Sequence, residues 1–422
     1  MTTRTSGSRP PATVLVGGAG AIPLGVDVAR TALAQARARG FVTHQTNQPS
    51  TLELTPQVAE LADFSWAVDF ADPEESAAWA RRQYAEGQRF DVVIGVREYA
   101  QVATAEIAAA VGAPGNPPEA VRTVRTKDRC RAALAAAGLP QPAFRVCADR
   151  AEAESFVAAT SGPWVVKPRD AMGSEGVREV GGPGDLDAAI AALPAPAAGA
   201  PRPPFLVEEF VEGDEFSVEG VFLGGAPHVL AVTRKRLVNP PLFVEAGHVL
   251  PAPLPEDVRA LLERETVRAL RALGLRFGVF HVELWHTAGG VVLGEVHVRN
   301  GGDWIHTLLG YAIPGLELFG LVYDDALGRL DGPPPAPSRA AAVRFLVPPP
   351  GVVERVEGWE AIRRHPSVLR AELSVEPGAR VLPVTDSHGR AGEIVVGAET
   401  PERAESLAEE LAESVKFVMV EG

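Results

Sequence analysis

Apolar and polar positions alternate most regularly near residues 277–303. Phe277-Gly278-Val279-Phe280-His281-Val282-Glu283-Leu284-Trp285 and Val291-Val292-Leu293-Gly294-Glu295-Val296-His297-Val298-Arg299 flank a Thr287-Ala288-Gly289-Gly290 turn. Alternation on both sides of a glycine turn predicts a β-hairpin. Period two places Glu295, His297 and Arg299 on one face of the second strand. Shorter apolar runs predict strands at 13–17, 91–96, 144–147, 163–168, 205–211, 215–223 and 227–234, the later ones forming an antiparallel meander. Helical spacing is found over 26–39, 103–111, 121–137, 152–160 and 256–273, in most of 307–330, and over 401–415. Beyond the Pro333–Pro337 stretch, strands are expected at 342–346, 381–385 and 392–397. Residues 192–204 are a Pro/Ala-rich surface excursion expected to be mobile. No internal repeat is seen.

The chain opens as strand, glycine-rich turn and helix, the start of a doubly wound α/β sheet. Its turn, Gly-Gly-Ala-Gly-Ala-Ile-Pro-Leu-Gly, departs from the G-x-G-x-x-G fingerprint, so the glycines are read as making a tight turn rather than holding a dinucleotide. Arg97 and Glu98 end the second clear apolar strand, where open α/β sheets bind ligands. They are expected either to contact a substrate or to cap the next helix.

Length and charge narrow the classes. The 422 residues suffice for two to four domains. A formal net charge of −14 argues against general nucleic-acid binding, while a phosphate ligand needs only a few placed cations and N–H groups. No apolar run reaches membrane-spanning length, and residues 1–12 lack the apolar core of a signal peptide. Cys130 and Cys147 have no metal-ligand spacing, so reduced thiols and a cytoplasmic location are expected.

Lys167 ends a strand and is followed by a small, polar, glycine-bearing loop with Met172, Gly173, Ser174 and Gly176. A lysine with freely approached N–H groups suits a phosphate. Glu208-Glu209-Phe210-Val211 then runs through an acidic turn to Glu215, an arrangement that can offer backbone groups to an adenine edge and a carboxylate to ribose hydroxyls. Glu283 and Glu295 supply hard oxygen ligands, which suit Mg²⁺ sharing substrate phosphates.

In this order the segments resemble the ATP-grasp ligases, from about Val14 to about Leu330. The resemblance implies an α/β ATP-grasp fold with a Rossmann-like domain over 1–120. An ATP-grasp domain would follow over 121–332, made of two ATP-clamping α+β lobes with a mobile lid lobe at about 163–226. A small α+β unit would close the chain over 333–422. It implies that Lys127 and Lys167 bind phosphates, that 172–177 closes over them, that Glu208–Val211 is the adenine hinge and Glu215 the ribose carboxylate. Glu283 and Glu295 would be the Mg²⁺ ligands, and Arg299 would steady the acyl phosphate and the tetrahedral species formed from it. The family pattern Glu-x-Asn-x-Arg is here Glu295-Val296-His297-Val298-Arg299. Imidazole suits Mn²⁺ better than Mg²⁺, so His297 would ligate a different metal, stand outside the ligand set, or touch substrate.

The run Glu245-Ala246-Gly247-His248-Val249-Leu250-Pro251 resembles the bacilysin-type L-amino-acid ligases, placing Glu245 and His248 near the reacting carboxylate. The implied activity joins a small carboxylate, such as an amino acid, to an amine through an acyl phosphate, with ADP and phosphate released. A homodimer is expected from family behaviour, with no membrane partner. The alternative within the superfamily is a carboxylase or formyl-type ligase acting on bicarbonate or formate. An alternative from another class is a nicotinamide-dependent dehydrogenase or nucleotide-sensing protein built on the N-terminal fold, against which the glycine spacing weighs. Acid specificity is expected near Arg97–Glu98, in 240–248 and beyond Asp303.

Overall fold

The computed structural model describes residues 9–196, 200–238, 243–330 and 332–420. The N-terminal sheet is parallel, in the order β3-β2-β1-β4, with β1 Ala12–Val16, β2 Val42–Asn47, β3 Phe64–Ala67 and β4 Val92–Gly95. Every β1 side chain is buried, as in a sheet covered on both faces. The glycine turn after β1 is tight: a Cβ on Gly17 would meet the Ala100 Cβ at 2.6 Å, and Gly17 has φ of +76°. This bears out its reading as a turn.

A second, antiparallel sheet contains β5 Phe144–Cys147, β6 Trp164–Lys167, β7 Arg178–Val180 and β8 Phe205–Glu209, in the order β5-β8-β6-β7. Phe156, Val157 and Leu186 from two helices complete its core with Trp164, Val166, Phe205 and Val207. The first of these helices starts at Asp149, whose side chain accepts a hydrogen bond from the Glu152 N–H. The meander expected from 205–234 is therefore split. β8 belongs to this sheet, and only the next two strands pair as a hairpin, because the Glu212-Gly213 turn redirects the chain.

The largest sheet has eight strands, ordered β13-β12-β9-β10-β11-β14-β18-β16. Its members are β9 Asp214–Leu223, β10 Ala226–Leu237, β11 Glu245–Leu250, β12 Val279–Thr287, β13 Gly290–His297 and β14 Ala340–Leu346, then β16 Val368–Leu373 and β18 Gly392–Ala398. β15 Gly351–Glu357 makes a separate small sheet with β17 Arg380–Val381 and β19 Lys416–Met419. The helix Glu256–Ala272 buries Leu262, Ala269 and Leu270 in a core shared with Phe216, Phe280 and Leu284 of this sheet. Arg39, Gln35 and Ala32 of the N-terminal unit bond to Asp324, to the Phe319 and Gly320 N–H groups, and to Tyr323, tying that unit to the helix Leu318–Ala326.

Three further expectations are corrected. The helix expected over 121–137 is two, Pro118–Arg125 and Lys127–Ala136. Thr126 between them is extended, and the Lys127 N–H is spent on the Arg169 carbonyl at 2.9 Å. Lys127 therefore starts a helix instead of sitting within one. The helical stretch 307–330 breaks at Pro314-Gly315 into Ile305–Ala312 and Leu318–Ala326. The strand expected at 381–385 reaches only Val381, since Pro383 has no N–H for a ladder. Part of the excursion 192–204 and part of the segment 240–248 lie outside the described residues.

Candidate active site between the two antiparallel sheets

A cavity of about 490 Å³ lies between the four-stranded antiparallel sheet and the eight-stranded sheet, within the ordinary size range of ligand sites. Lys127, Lys167, Gly173, Ser174, Glu208, Glu209, Phe210, Val211, Glu215, Glu245, His248, Glu283, Glu295 and Arg299 all line it. Of the residues singled out from the sequence, Gly176 does not. A Cβ there would meet Pro194 at 2.9 Å and Leu193 at 3.2 Å, and its φ is +69°.

The two carboxylates expected as metal ligands are brought side by side by an irregularity in the hairpin. Val282 pairs with Val296 and Leu284 with Leu293, so Glu283 alone opposes Gly294 and Glu295. Such a bulge re-aims side chains. Gly294 permits it, because a Cβ there would lie 2.9 Å from the Glu283 carbonyl oxygen. Cations already hold both carboxylates. Glu283 is 3.1 Å from Lys235 and 3.2 Å from His281, and Glu295 is 3.3 Å from Lys127. Among the described residues, no group of three or more His, Cys, Asp and Glu side chains converges on a metal. Two cavity-facing carboxylates fit a hard cation that takes its remaining ligands from phosphates and water.

Buried charges at this end come in compensated sets. Lys167 contacts Glu208 at 2.5 Å, and Glu208 also takes a fork from Arg131, which is itself fully buried. Burial disfavours the Glu208 charge, but Arg131 and Lys167 hold its pKa down to about 2. Lys235, from β10, stands among Glu215 at 2.6 Å, Glu283 at 3.1 Å and Glu245 at 3.7 Å. Burial opposes its charge, yet these carboxylates raise its pKa well above the usual lysine value. His281 is likewise disfavoured by burial, but Glu219 and Glu283 push it up to about 9. Lys235, Arg131, Glu219 and His281 were not read from the sequence as site residues.

Arg97 and Glu98 take different parts. Arg97 donates to the Gly17 carbonyl and to Asn47, bracing the N-terminal turn. Glu98 is buried and reaches from the N-terminal unit to Arg299, to His297 Nδ1 at 3.0 Å and to Arg125 at 2.6 Å. Burial works against its charge, and Arg299, His297 and Arg125 hold its pKa well below the usual value. His297 Nε2 is 3.6 Å from Glu295, so the imidazole bridges the two glutamates.

At the far end, His248 Nε2 is 3.0 Å from Asp303, while its Nδ1 is sealed from solvent and has no partner among the described residues. Arg390 clamps both Asp303 oxygens, at 2.9 and 2.7 Å. Ser387 donates its hydroxyl to Glu245 at 2.7 Å and its N–H to the Gly173 carbonyl at 3.1 Å. Both Ser387 and Arg390 lie on the turn that follows β17, far from the other site residues in sequence.

Residues 160–308 match the ATP-grasp domain, and residues 344–420 match L-amino acid ligase C-terminal domain 2. The uncharacterized protein y4rH of Sinorhizobium fredii is 28% identical over 335 residues, covering 78% of this chain and 69% of that protein. Carnosine synthase 1 of Gallus gallus is 34% identical over 277 residues, 61% of this chain but 29% of the relative, so the chain spans under a third of it. A crystal structure of L-amino acid ligase from Bacillus licheniformis superimposes with a TM-score of 0.79 at 24% identity, over 98% of this chain and 100% of that one. The ATP-grasp fold expected from the sequence is the fold found.

Proposed function

We propose that this chain, an ATP-grasp protein with an L-amino acid ligase C-terminal domain, is an ADP-forming carboxylate–amine ligase acting on an amino acid or a similar acid. What carries the reading is one cavity that joins a lysine-lined, nucleotide-type end to Arg299, Glu245, His248 and Asp303. Phosphates entering beside Lys127, Lys167 and Lys235 take over cations that the carboxylates now hold. Glu283 and Glu295 would hold Mg²⁺, or Mn²⁺, which supplies charge neutralisation at the phosphates. A substrate carboxylate oxygen attacks the γ-phosphorus and ADP leaves, giving an acyl phosphate. The amine nitrogen then attacks the acyl carbon, losing a proton as phosphate departs. Arg299, steered by Glu98, presents its fork to the oxyanion and the phosphate.

For the proton, Glu245 is better placed than His248. Its side chain keeps 17% of its surface exposed, against 2% for His248. The lid loop is drawn toward the far end by the Ser387–Gly173 contact and by Ser174, which donates to the Phe243 carbonyl at 2.6 Å. Closure there excludes water from the acyl phosphate. No helix among the described residues is long and apolar enough to cross a membrane. Both cysteines are free and buried, in keeping with a reducing, cytoplasmic setting, and the homodimer rests on family behaviour alone.

The test is ADP release with Mg·ATP and single amino acids, with hydroxylamine trapping the acyl phosphate. A hydroxamate from an amino acid, with ADP release raised by a second amine, is the expected result. ADP release with bicarbonate or formate alone would replace this reading by the carboxylase or formyl-ligase alternative.

A further inference from the structure

Arg131, on the helix Lys127–Ala136, is 1% exposed and does not line the cavity. Its guanidinium joins the two sheets that do. Toward the four-stranded sheet, Nε and Nη2 donate to the two Glu208 oxygens of β8, at 2.5 and 3.0 Å. Toward the eight-stranded sheet, Nη1 donates to the Leu293 carbonyl of β13 at 3.0 Å, and it also donates to Gln141 at 2.9 Å. Four of the five N–H donors are thus engaged, which fixes the guanidinium in place. Glu208 is shared: its Oε1 also contacts Lys167 of β6 at 2.5 Å. In direct contact, then, this buried set holds two cations and one carboxylate. Lys167 lines the cavity and can turn to a ligand, whereas Arg131 cannot.

We infer that Arg131 is a positioning residue for nucleotide binding: it stays on Glu208 as a fixed counter-charge and so frees Lys167 to pass from Glu208 to a phosphate of ATP. This deepens the nucleotide end of the ligase reading and rests on it. A buried carboxylate stripped of its last cation is heavily penalised. Without Arg131, Lys167 and Glu208 would form a closed pair, and each phosphate contact made by Lys167 would leave Glu208 buried alone. With Arg131, the set carries one positive charge in excess, which an incoming phosphate matches. The Lys167 ammonium agrees with this account. Burial lowers its pKa, Glu208 opposes that shift, and the neighbouring Arg131 adds to it, so in the empty site its charge lacks full compensation.

The experiment is titration calorimetry of Mg·ATP, without acid or amine, into the wild type and three variants. Arg131→Met is expected to weaken ATP binding by about 10- to 100-fold, the range for a lost charged interaction. The double variant Arg131→Met/Glu208→Gln is expected to return to within about fivefold of the wild type, because Lys167 no longer has a carboxylate to hold. Glutamine at 208 keeps the main chain that is expected to meet adenine. Both variants lose the bond to the Leu293 carbonyl, so a purely structural role would weaken them alike. Arg131→Lys keeps the charge and is expected to stay within about fivefold of the wild type although it cannot fork. It carries the test if methionine at 131 prevents folding, and a loss of tenfold or more there overturns the inference. Wild-type affinity in Arg131→Met, or a double variant as weak as the single one, also overturns it and leaves the ligase standing. A wild type that binds no Mg·ATP removes the nucleotide reading and the inference with it.

Discussion

The two ends of the cavity are built in different ways. At the nucleotide end, charged side chains project from strands of two sheets and from the helix Lys127–Ala136 and neutralise one another: Lys167 and Arg131 with Glu208, Lys235 with Glu215 and Glu283. At the far end, a strained corner, Asp303 with φ of +53° and Trp304 with φ of +64°, is held by groups distant in sequence. His248 reaches Asp303 across 55 residues and Arg390 reaches it across 87. The first end is a charge lattice that a phosphate can enter by exchanging partners. The second is a shape that the C-terminal domain maintains. Damage should therefore show differently: as lost stability together with lost nucleotide turnover at one end, and as altered acid recognition with an intact ATP site at the other.

Lys235→Met gives the largest expected effect. It leaves Glu215 and Glu283 buried without their shared cation, and breaking a buried ion pair by removing one partner costs about 3–5 kcal/mol. ADP release should vanish, and urea denaturation monitored by circular dichroism should show the destabilisation. Wild-type stability in this variant would mean that the charges at this end are not interlocked, and the contrast between the ends would fail.

Glu98→Gln comes next, because Glu98 does not line the cavity yet steers Arg299 from the N-terminal unit. Loss of a group aligned on a developing oxyanion costs about 10²- to 10³-fold in kcat, and a positioning residue should account for roughly the lower figure. The expected signature is a fall of about 100-fold in kcat with the KM for ATP unchanged. A KM for ATP that rises in step would move Glu98, and Arg299 with it, to the nucleotide end.

The same contrast decides what the sequence revealed. Strands β1 and β4 announce themselves by unbroken apolar runs, Lys167 by its place at a strand end, and Glu283 and Glu295 by the alternation of the hairpin that carries them. β2 was missed because Val-Thr-His-Gln-Thr-Asn looks like a loop. Its polar side chains are nevertheless buried and mostly partnered, Thr43 with Asp63, Gln45 with Ser65 and Asn47 with the Ala19 carbonyl. Lys235 was hidden between two arginines. Had the strand been carried past Arg234 to Leu237, period two would have turned Arg234 and Arg236 together toward Glu405 and Lys235 the other way, into the cavity. The bulge at Gly294 has no signature in hydrophobic pattern. Ser387 and Arg390 could not be placed at all, since their roles depend on a turn closing onto residues brought together only by the fold.

That turn touches both ends, and it offers the smallest and most discriminating prediction. Ser387 gives its hydroxyl to Glu245 and its N–H to Gly173 of the lid loop. Ser387→Ala removes only the first bond. A neutral hydrogen bond is worth about 0.5–1.5 kcal/mol net, so kcat should fall about two- to tenfold while the KM for ATP stays put. Ser387→Pro removes the N–H as well, and the backbone admits it. Ser387 opens the short 3₁₀ turn Ser387–Gly389, and Asp386 before it is extended, at φ −156° and ψ 177°. The proline variant should therefore show the alanine defect plus a rise of about threefold in the KM for ATP, because only it removes the bond from this turn to Gly173. If alanine and proline behave identically, the 172–177 loop does not feel this turn, and Lys235, which lies within 4 Å of carboxylates at both ends, becomes the link to test next.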